Sequence, residues 1–164
     1  MILEVFVLVP RKRGFGLNLV TLFFMAAGSI ALLATWLWSF MVVPVSIGFY
    51  AIGIYFMRKS LEYEYSYFDG DFRFAKIISK SKRKPLRGYE IEEVQIIAPE
   101  GDRSVYKYEN DGGLKVRDLT SGRNDGKVYT MVAKGDEGLE ITKFQPDEKY
   151  LNAVCVKYPQ KVIR

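Results

Sequence analysis

The sequence contains no histidine. That removes imidazole acid–base catalysis, serine–histidine triads and histidine metal ligands. It contains one cysteine, Cys155, so no intrachain disulfide can form. One thiol without histidine is too little for a structural zinc site. A lone thiol nucleophile normally works beside a histidine or a comparable base. Cys155 therefore reads as a small apolar residue on a buried helix face. Charge is missing from one long stretch. Between Arg13 and Arg58 there is no Asp, Glu, Lys or Arg, which leaves positions 14 to 57 uncharged.

That gap dominates the chain. The mean hydropathy of −0.02 is that of an ordinary soluble protein, but the average hides an apolar block followed by a polar one. From Arg58 onward there are 21 Lys plus Arg and 18 Asp plus Glu, a mild excess of 3 positive charges. The 44 uncharged positions would form a single helix about 66 Å long. A bilayer core is about 30 Å thick and needs about 20 residues per crossing. Two crossings fit, at about 16–37 and 40–57 within a hairpin spanning 14–58. Trp36, Trp38 and Ser39 fall at the midpoint, where amphipathic rings favour the headgroup level. Pro44 then lies in the first turn of the second helix, where its missing N–H costs little. Arg11, Lys12 and Arg13 precede the first crossing, and Arg58 and Lys59 follow the second. The positive-inside rule puts both flanks, and hence both termini, in the cytoplasm of a cell-membrane protein. A cleaved signal would need a shorter apolar core and a basic start instead of Ile2–Val9. Ala27, Ala31 and Thr35, with Gly48 and Ala51, are candidates for the helix–helix seam, where small residues permit close approach. Small residues are also simply common in membrane helices.

The remainder, 60–164, reads as a β-rich cytoplasmic domain. Two β-rich runs from Leu61 to Ile78 flank Asp69-Gly70, a favoured two-residue hairpin turn. In that register Tyr63, Tyr65, Tyr67, Phe72 and Phe74 share one face, while Glu62, Glu64, Ser66 and Arg73 face solvent. Further strands are predicted near Glu90–Ala98, Ser104–Tyr108, Gly113–Asp118, Lys127–Ala133 and Leu139–Phe144, separated by Gly-rich turns. A C-terminal helix over about 147–158 follows from acids at its start and Tyr150, Leu151, Val154, Cys155 and Tyr158 at helical spacing. Residues 1–10 are too short to span a bilayer and rich in Val. They read as a strand that joins the cytoplasmic sheet, with an interfacial tail as the alternative. The fold class is thus an α+β membrane protein: a transmembrane helical hairpin plus an antiparallel β sandwich or barrel closed by a C-terminal helix.

Particular runs carry a resemblance. They are Leu61-Glu62-Tyr63-Glu64-Tyr65-Ser66-Tyr67-Phe68-Asp69-Gly70, then Lys76 to Lys84, then Val94-Gln95-Ile96-Ile97-Ala98-Pro99. The ending Phe144-Gln145-Pro146-Asp147-Glu148 with Pro159-Gln160-Lys161-Val162 belongs with them. Together they resemble an uncharacterised family of small two-helix membrane proteins from Gram-positive bacteria. About seven strands closed by one helix is similar to a pleckstrin-homology-like domain. The resemblance implies architecture and supplies no catalytic residues, because fold does not decide function.

The sharpest functional candidate is basic. Arg73, Lys76, Lys80, Lys82, Arg83, Lys84 and Arg87 occur without an intervening acid. Anionic lipid attracts such clusters by about 1 kcal/mol per residue near the surface. Lys80, Lys82, Arg83, Lys84 and Arg87 are therefore candidate contacts for anionic lipid headgroups. The competing reading is a solvated hairpin tip whose charge blocks edge pairing. Nucleic acid is not an expected partner, because the neighbouring aromatics face the core. The loops Glu109–Gly113 and Asn124–Gly126 lack the alternating oxygens of a calcium loop. Gly135 and Gly138 form no phosphate cradle, and no ionisable residue lies within the apolar block to mark a transport path. No cofactor, no metal and no enzymatic activity are expected. The leading expectation is a non-catalytic, membrane-anchored binding or scaffold module that meets the lipid bilayer or a membrane protein partner. The alternative is an accessory subunit of a larger membrane complex, held through the helical hairpin.

Overall fold

A computed structural model describes residues 4–37, 40–123 and 126–164. The chain divides into two compact units. One is Lys12–Leu61, and the other joins the N-terminal segment up to Arg11 with Glu62–Arg164.

The first unit is a helical hairpin. Helix α1 covers Phe15–Leu37, a short 3-10 turn covers Phe40–Val42, and helix α2 covers Val43–Met57, with Pro44 in its first turn. Within α1, Phe15–Ala34 is long and apolar enough to cross a membrane, with mean hydropathy 2.1, whereas α2 is apolar but shorter. The seam differs from the expected one. Gly48 and Ala51 are exposed, and a Cβ on Gly48 would meet nothing within 4 Å. Close approach occurs instead at Gly28 and Gly53. A Cβ on Gly28 would lie 3.1 Å from the Tyr50 ring, and one on Gly53 would lie 3.2 Å from Met25. Aromatic bulk explains the shift. Phe24 stacks on Phe56 and tilts against Phe49, at 6.0 and 6.1 Å between centroids. Such rings fit only where the facing backbone is bare. Ala27 and Ala31 are half-buried at the margin of this seam. The side chains of Thr35 and Trp36, and residues Trp38 and Ser39, lie outside the described parts.

Polar groups turn inward here. The Arg13 guanidinium donates to Thr21 Oγ1 at 2.6 Å and to the Phe56 carbonyl at 2.7 Å. Ser46 donates to the Gly28 carbonyl at 2.9 Å. Leu22, Phe23, Ile30, Leu33 and Ile47 face outward and exposed.

The second unit is built from two sheets. Strand β1 is Glu4–Pro10, β2 Leu61–Phe68, β3 Asp71–Ile78, β4 Lys82–Pro85 and β5 Tyr89–Glu90. The first four run in the order β1-β2-β3-β4, and β5 also pairs with β3. Then come β6 Val94–Pro99, α3 Arg103–Glu109, β7 Lys115–Asp118, β8 Tyr129–Gly135, β9 Gly138–Phe144 and α4 Glu148–Lys157. The second sheet has the order β6-β8-β9-β7. Its β7–β9 pairing is parallel, while β6–β8 and β8–β9 are antiparallel. Asp69 and Gly70 both take positive φ, at 50° and 108°, as the two-residue turn requires.

The core lies between the sheets and is aromatic. Tyr65 packs edge-on against Phe74 and Phe144, and Tyr67 lies 5.1 Å from Phe72. Tyr150 of α4 touches Tyr67, Phe72 and Phe144, which ties the closing helix to both sheets. Alternating aromatics are stable there because burying each such ring contributes about 1.5–3 kcal/mol. Asp147 caps α4 by accepting from the Tyr150 N–H at 2.8 Å.

Three sequence expectations are corrected. Ser104–Tyr108 is not a strand but the body of α3. Asp102 caps it, accepting from the Ser104 N–H and hydroxyl at 2.9 and 2.6 Å. These bonds hold the Asp102 carboxyl below its ordinary pKa. Val105 then packs on Ala98 and Val132, a tertiary contact that overrides the β propensity of Val and Tyr. Next, Glu90–Ala98 is not one strand. A turn, closed by the Glu93 N–H to the Glu90 carbonyl at 3.0 Å, carries the chain from the first sheet to the second. Finally, Glu64 does not face open solvent. It is buried opposite Leu8 of β1, and its carboxylate accepts from Arg83.

Candidate functional site

The basic run forms the β3–β4 hairpin. Ile78 pairs with Lys82, so Ser79, Lys80 and Ser81 make a three-residue loop. Ser79 and Lys80 adopt positive φ, at 52° and 56°, a conformation that non-glycine residues take only when the surroundings hold it. The register sorts the charges. Lys76 faces Lys84 and Ile78 faces Lys82, which puts three lysines on one face of the hairpin. Arg83 faces Ile77 on the opposite face and is tied to Glu64. Lys80 stands at the tip. Arg87 has left the hairpin and pairs with Asp136, and with Glu93 at 3.8 Å.

The structure therefore brings together Lys80, Lys82 and Lys84, and adds Lys76. It separates Arg83 and Arg87, whose charges carboxylates already meet. Among the described residues none of the four lysines has an ion-pair partner. Opposed like charges repel, so Lys76 and Lys84 present a local surplus of positive charge. Lys76 was within reach of sequence reasoning: it is the residue that faces Lys84 once the loop is known.

A second cluster was not legible. Glu140 of β9 is buried, yet ionic partners surround it. Arg117 lies at 3.4 Å and Lys115 at 3.6 Å, both from the parallel neighbour β7. The Tyr89 hydroxyl donates to it at 2.9 Å. A Cβ on Gly135 would fall 2.5 Å from the Glu140 carboxyl carbon, so only glycine leaves room for this side chain. Burial is the main cause that pushes the Tyr89 phenol above its ordinary pKa, and the hydrogen bond it donates to Glu140 adds to it. The hydrogen bond to Asp136 likewise raises the Arg87 guanidinium. A buried carboxylate with two cations and a phenol is satisfied, and it offers no free acid or base. An open groove of about 460 Å³, lined by Tyr63, Lys76, Arg87, Arg117 and Asp118, runs beside it. Three of its four charges are matched: Asp118 by Arg11 at 3.6 Å, Arg117 by Glu140 and Arg87 by Asp136. Lys76 alone is unmatched.

Among the described residues no three His, Cys, Asp or Glu side chains are grouped to hold a metal ion. What the arrangement offers is electrostatic: a cluster of exposed and half-exposed lysines on the β3–β4 hairpin.

A family model matches the chain over residues 3–164. The chain belongs to the family described as a bacterial PH-like domain (DUF6106). The match takes in the helical hairpin as well as the sheets, so within this PH-like family the hairpin is part of the matched unit. No curated protein and no solved structure matches the chain.

Proposed function

We propose that this PH-like protein is a non-catalytic, membrane-anchored binding module, with its hairpin in the bilayer and its β domain at the cytoplasmic face. The observation that carries this is the inverted polarity of the hairpin. Only 11 % of its apolar window is buried within the chain, and large side chains such as Phe15, Phe23 and Leu33 are exposed. A helix apolar all round needs an apolar surrounding. The second crossing combines the 3-10 turn with α2. Three residues at about 2.0 Å and fifteen at about 1.5 Å give about 28 Å, close to a bilayer core. Basic residues stand only at the open end, at Arg11–Arg13 and Arg58–Lys59, which favours that end inside.

Within this reading the lysine cluster meets anionic headgroups. The test uses the full chain in nanodiscs, with a fluorophore on S81C in a C155S background and quenchers carried on the lipids. Quenching should rise with anionic lipid content and disappear in the triple variant K80S/K82S/K84S. Quenching independent of lipid charge would remove the headgroup contact and leave the anchored module.

The second reading is an accessory subunit held through the hairpin. It is favoured by the outward position of Gly48 and Ala51, small residues on a face α1 does not use. Crosslinking in native membranes separates the two readings: capture of one membrane protein by the hairpin alone supports the subunit.

A further inference from the structure

The groove lined by Tyr63, Lys76, Arg87, Arg117 and Asp118 carries more positive charge than the chain answers. Its ions pair one to one: Arg11 with Asp118, Arg87 with Asp136 and Arg117 with Glu140. The further partners Glu93 and Lys115 add one charge of each sign. Lys76 is left over. Lys84 stands directly opposite it in the β3–β4 pairing, on the same face. Like charges set opposite each other cost stability, so two positive charges are held side by side with no carboxylate to neutralise them. A buried donor lines the same groove. Tyr63 is only 5 % exposed. Its hydroxyl accepts from the Arg11 guanidinium at 2.5 Å, while its own proton has no acceptor among the described residues. Buried polar groups are ordinarily satisfied, so this phenol has a bond still to give. Arg117 makes only long contacts, 3.4 Å to the Arg87 carbonyl and 3.4 Å to Glu140, and a guanidinium has five N–H groups to share.

We infer that this groove binds a phosphomonoester, a terminal phosphate carried either on a lipid headgroup or on a soluble molecule. Such a group brings about two negative charges at pH 7 and three strong acceptor oxygens. That matches two ammonium groups and a phenol donor. A carboxylate brings one charge and two oxygens and leaves one lysine unanswered, and a phosphodiester also brings a single charge. Charge-assisted hydrogen bonds of this kind are the strong ones. The site goes beyond the headgroup contact proposed for the hairpin tip, because Lys80 and Lys82 take no part in it. Only the lipid source of the phosphate rests on the membrane-anchored reading.

Calorimetric titration of the full chain in phosphatidylcholine nanodiscs tests the site, with glycerol 3-phosphate as the ligand and acetate as the carboxylate control. Glycerol 3-phosphate should bind saturably and acetate should not at equal concentration. K76S/K84S should weaken binding by about tenfold or more, since a hydrogen bond to a charged group is worth about that much. Y63F removes one neutral donor and should weaken it several-fold, with circular dichroism matching wild type. K80S/K82S lies outside the groove and should leave binding unchanged. Replacing part of the phosphatidylcholine with phosphatidic acid, or with phosphatidylglycerol to equal surface charge, separates the two sources. Competition by phosphatidic acid beyond that by phosphatidylglycerol marks a lipid ligand, and equal effects mark a soluble one. No saturable binding, equal binding of acetate, indifference to K76S/K84S, or an equal loss in K80S/K82S would each overturn the inference. The tip contact stands or falls separately, on the quenching at S81C.

Discussion

The hairpin and the β domain are built by opposite rules. In the hairpin the outside is largely apolar, and Arg13 and Ser46 bond across the seam to the Phe56 and Gly28 carbonyls. In the β domain the rings are inside, and the lysines of the β3–β4 hairpin are outside. Close approach also differs. Gly28 admits the Tyr50 ring and Gly53 the Met25 side chain between helices, whereas Gly135 admits a buried carboxylate. An average hydropathy near zero is the sum of these two inversions and describes neither. The lesson is that each unit presents a surface of opposite polarity, and that perturbing one should leave the other standing. Two probes read them apart. Both tryptophans, Trp36 and Trp38, lie in the hairpin, while nine of the eleven tyrosines lie outside it.

The largest expected effect is alkaline and confined to the β domain. Burial pushes the phenols of Tyr65 and Tyr150 well above the ordinary tyrosine value of about 10. Their protonated forms belong to the folded state, so the stability they confer is complete below pH about 10. It falls as pH rises from there toward the folded-state values, by about 1.4 kcal/mol per pH unit for each group. Denaturant titrations followed by tyrosine near-ultraviolet dichroism should show a plateau to pH about 10 and a decline above it. Tryptophan emission from the hairpin should not follow.

Next, Tyr150→Ala should cost the β domain about 3–5 kcal/mol, because the ring that ties α4 to both sheets is lost. Tyr150→Phe should cost nothing measurable or stabilise slightly, since the Tyr150 hydroxyl is buried with no described partner. A smaller loss, about 2–3 kcal/mol, is expected for Glu140→Ala, which leaves Arg117 and Lys115 side by side on β7 without their carboxylate. Their partial exposure to solvent keeps the cost below that of a fully buried pair. The smallest effect separates the seam from the outer face of the hairpin. Gly28→Val should weaken helix association by about 1–3 kcal/mol, read as tryptophan emission during detergent titration. Gly48→Val should change nothing, and the tyrosine signal should be indifferent to both.

Much of this contrast was legible in the residues. The uncharged block and its basic flanks follow from length and charge, and its division into two helical segments follows from length together with the tryptophans near its midpoint. The Asp69-Gly70 turn and the aromatic face of β2 and β3 follow from local chemistry and period-two alternation. The misses share a cause: each depends on a partner distant in sequence. Val105 and Tyr108 look like strand residues until Ala98 and Val132 are placed beneath them, although Asp102 with Ser104 is a capping signal that marks a helix start. Glu64 looks solvent-facing until Arg83 folds back onto it. Gly28 and Gly53 were passed over for Ala27, Ala31, Thr35, Gly48 and Ala51 because the side chains they admit, Tyr50 and Met25, come from the other helix. The lysine cluster was found as a run, but its division into unpaired Lys80, Lys82 and Lys84 and paired Arg83 and Arg87 needed Glu64, Asp136 and Glu93 in place. Glu140 and its partners carried no local signal, because β7 lies parallel beside β9 across more than twenty residues of chain.

The central proposal is that the hairpin crosses a bilayer twice, with the β domain on the inner side. Its most direct test is one-sided labelling of intact cells with a membrane-impermeant thiol reagent, in a C155S background. A cysteine replacing Phe40, an exposed residue at the hairpin turn, should be labelled from outside. One replacing Lys80 at the tip of the β3–β4 hairpin should be labelled only after the cells are opened. Labelling of K80C in intact cells, or protection of both sites together with release of the protein by alkaline carbonate, would contradict the account.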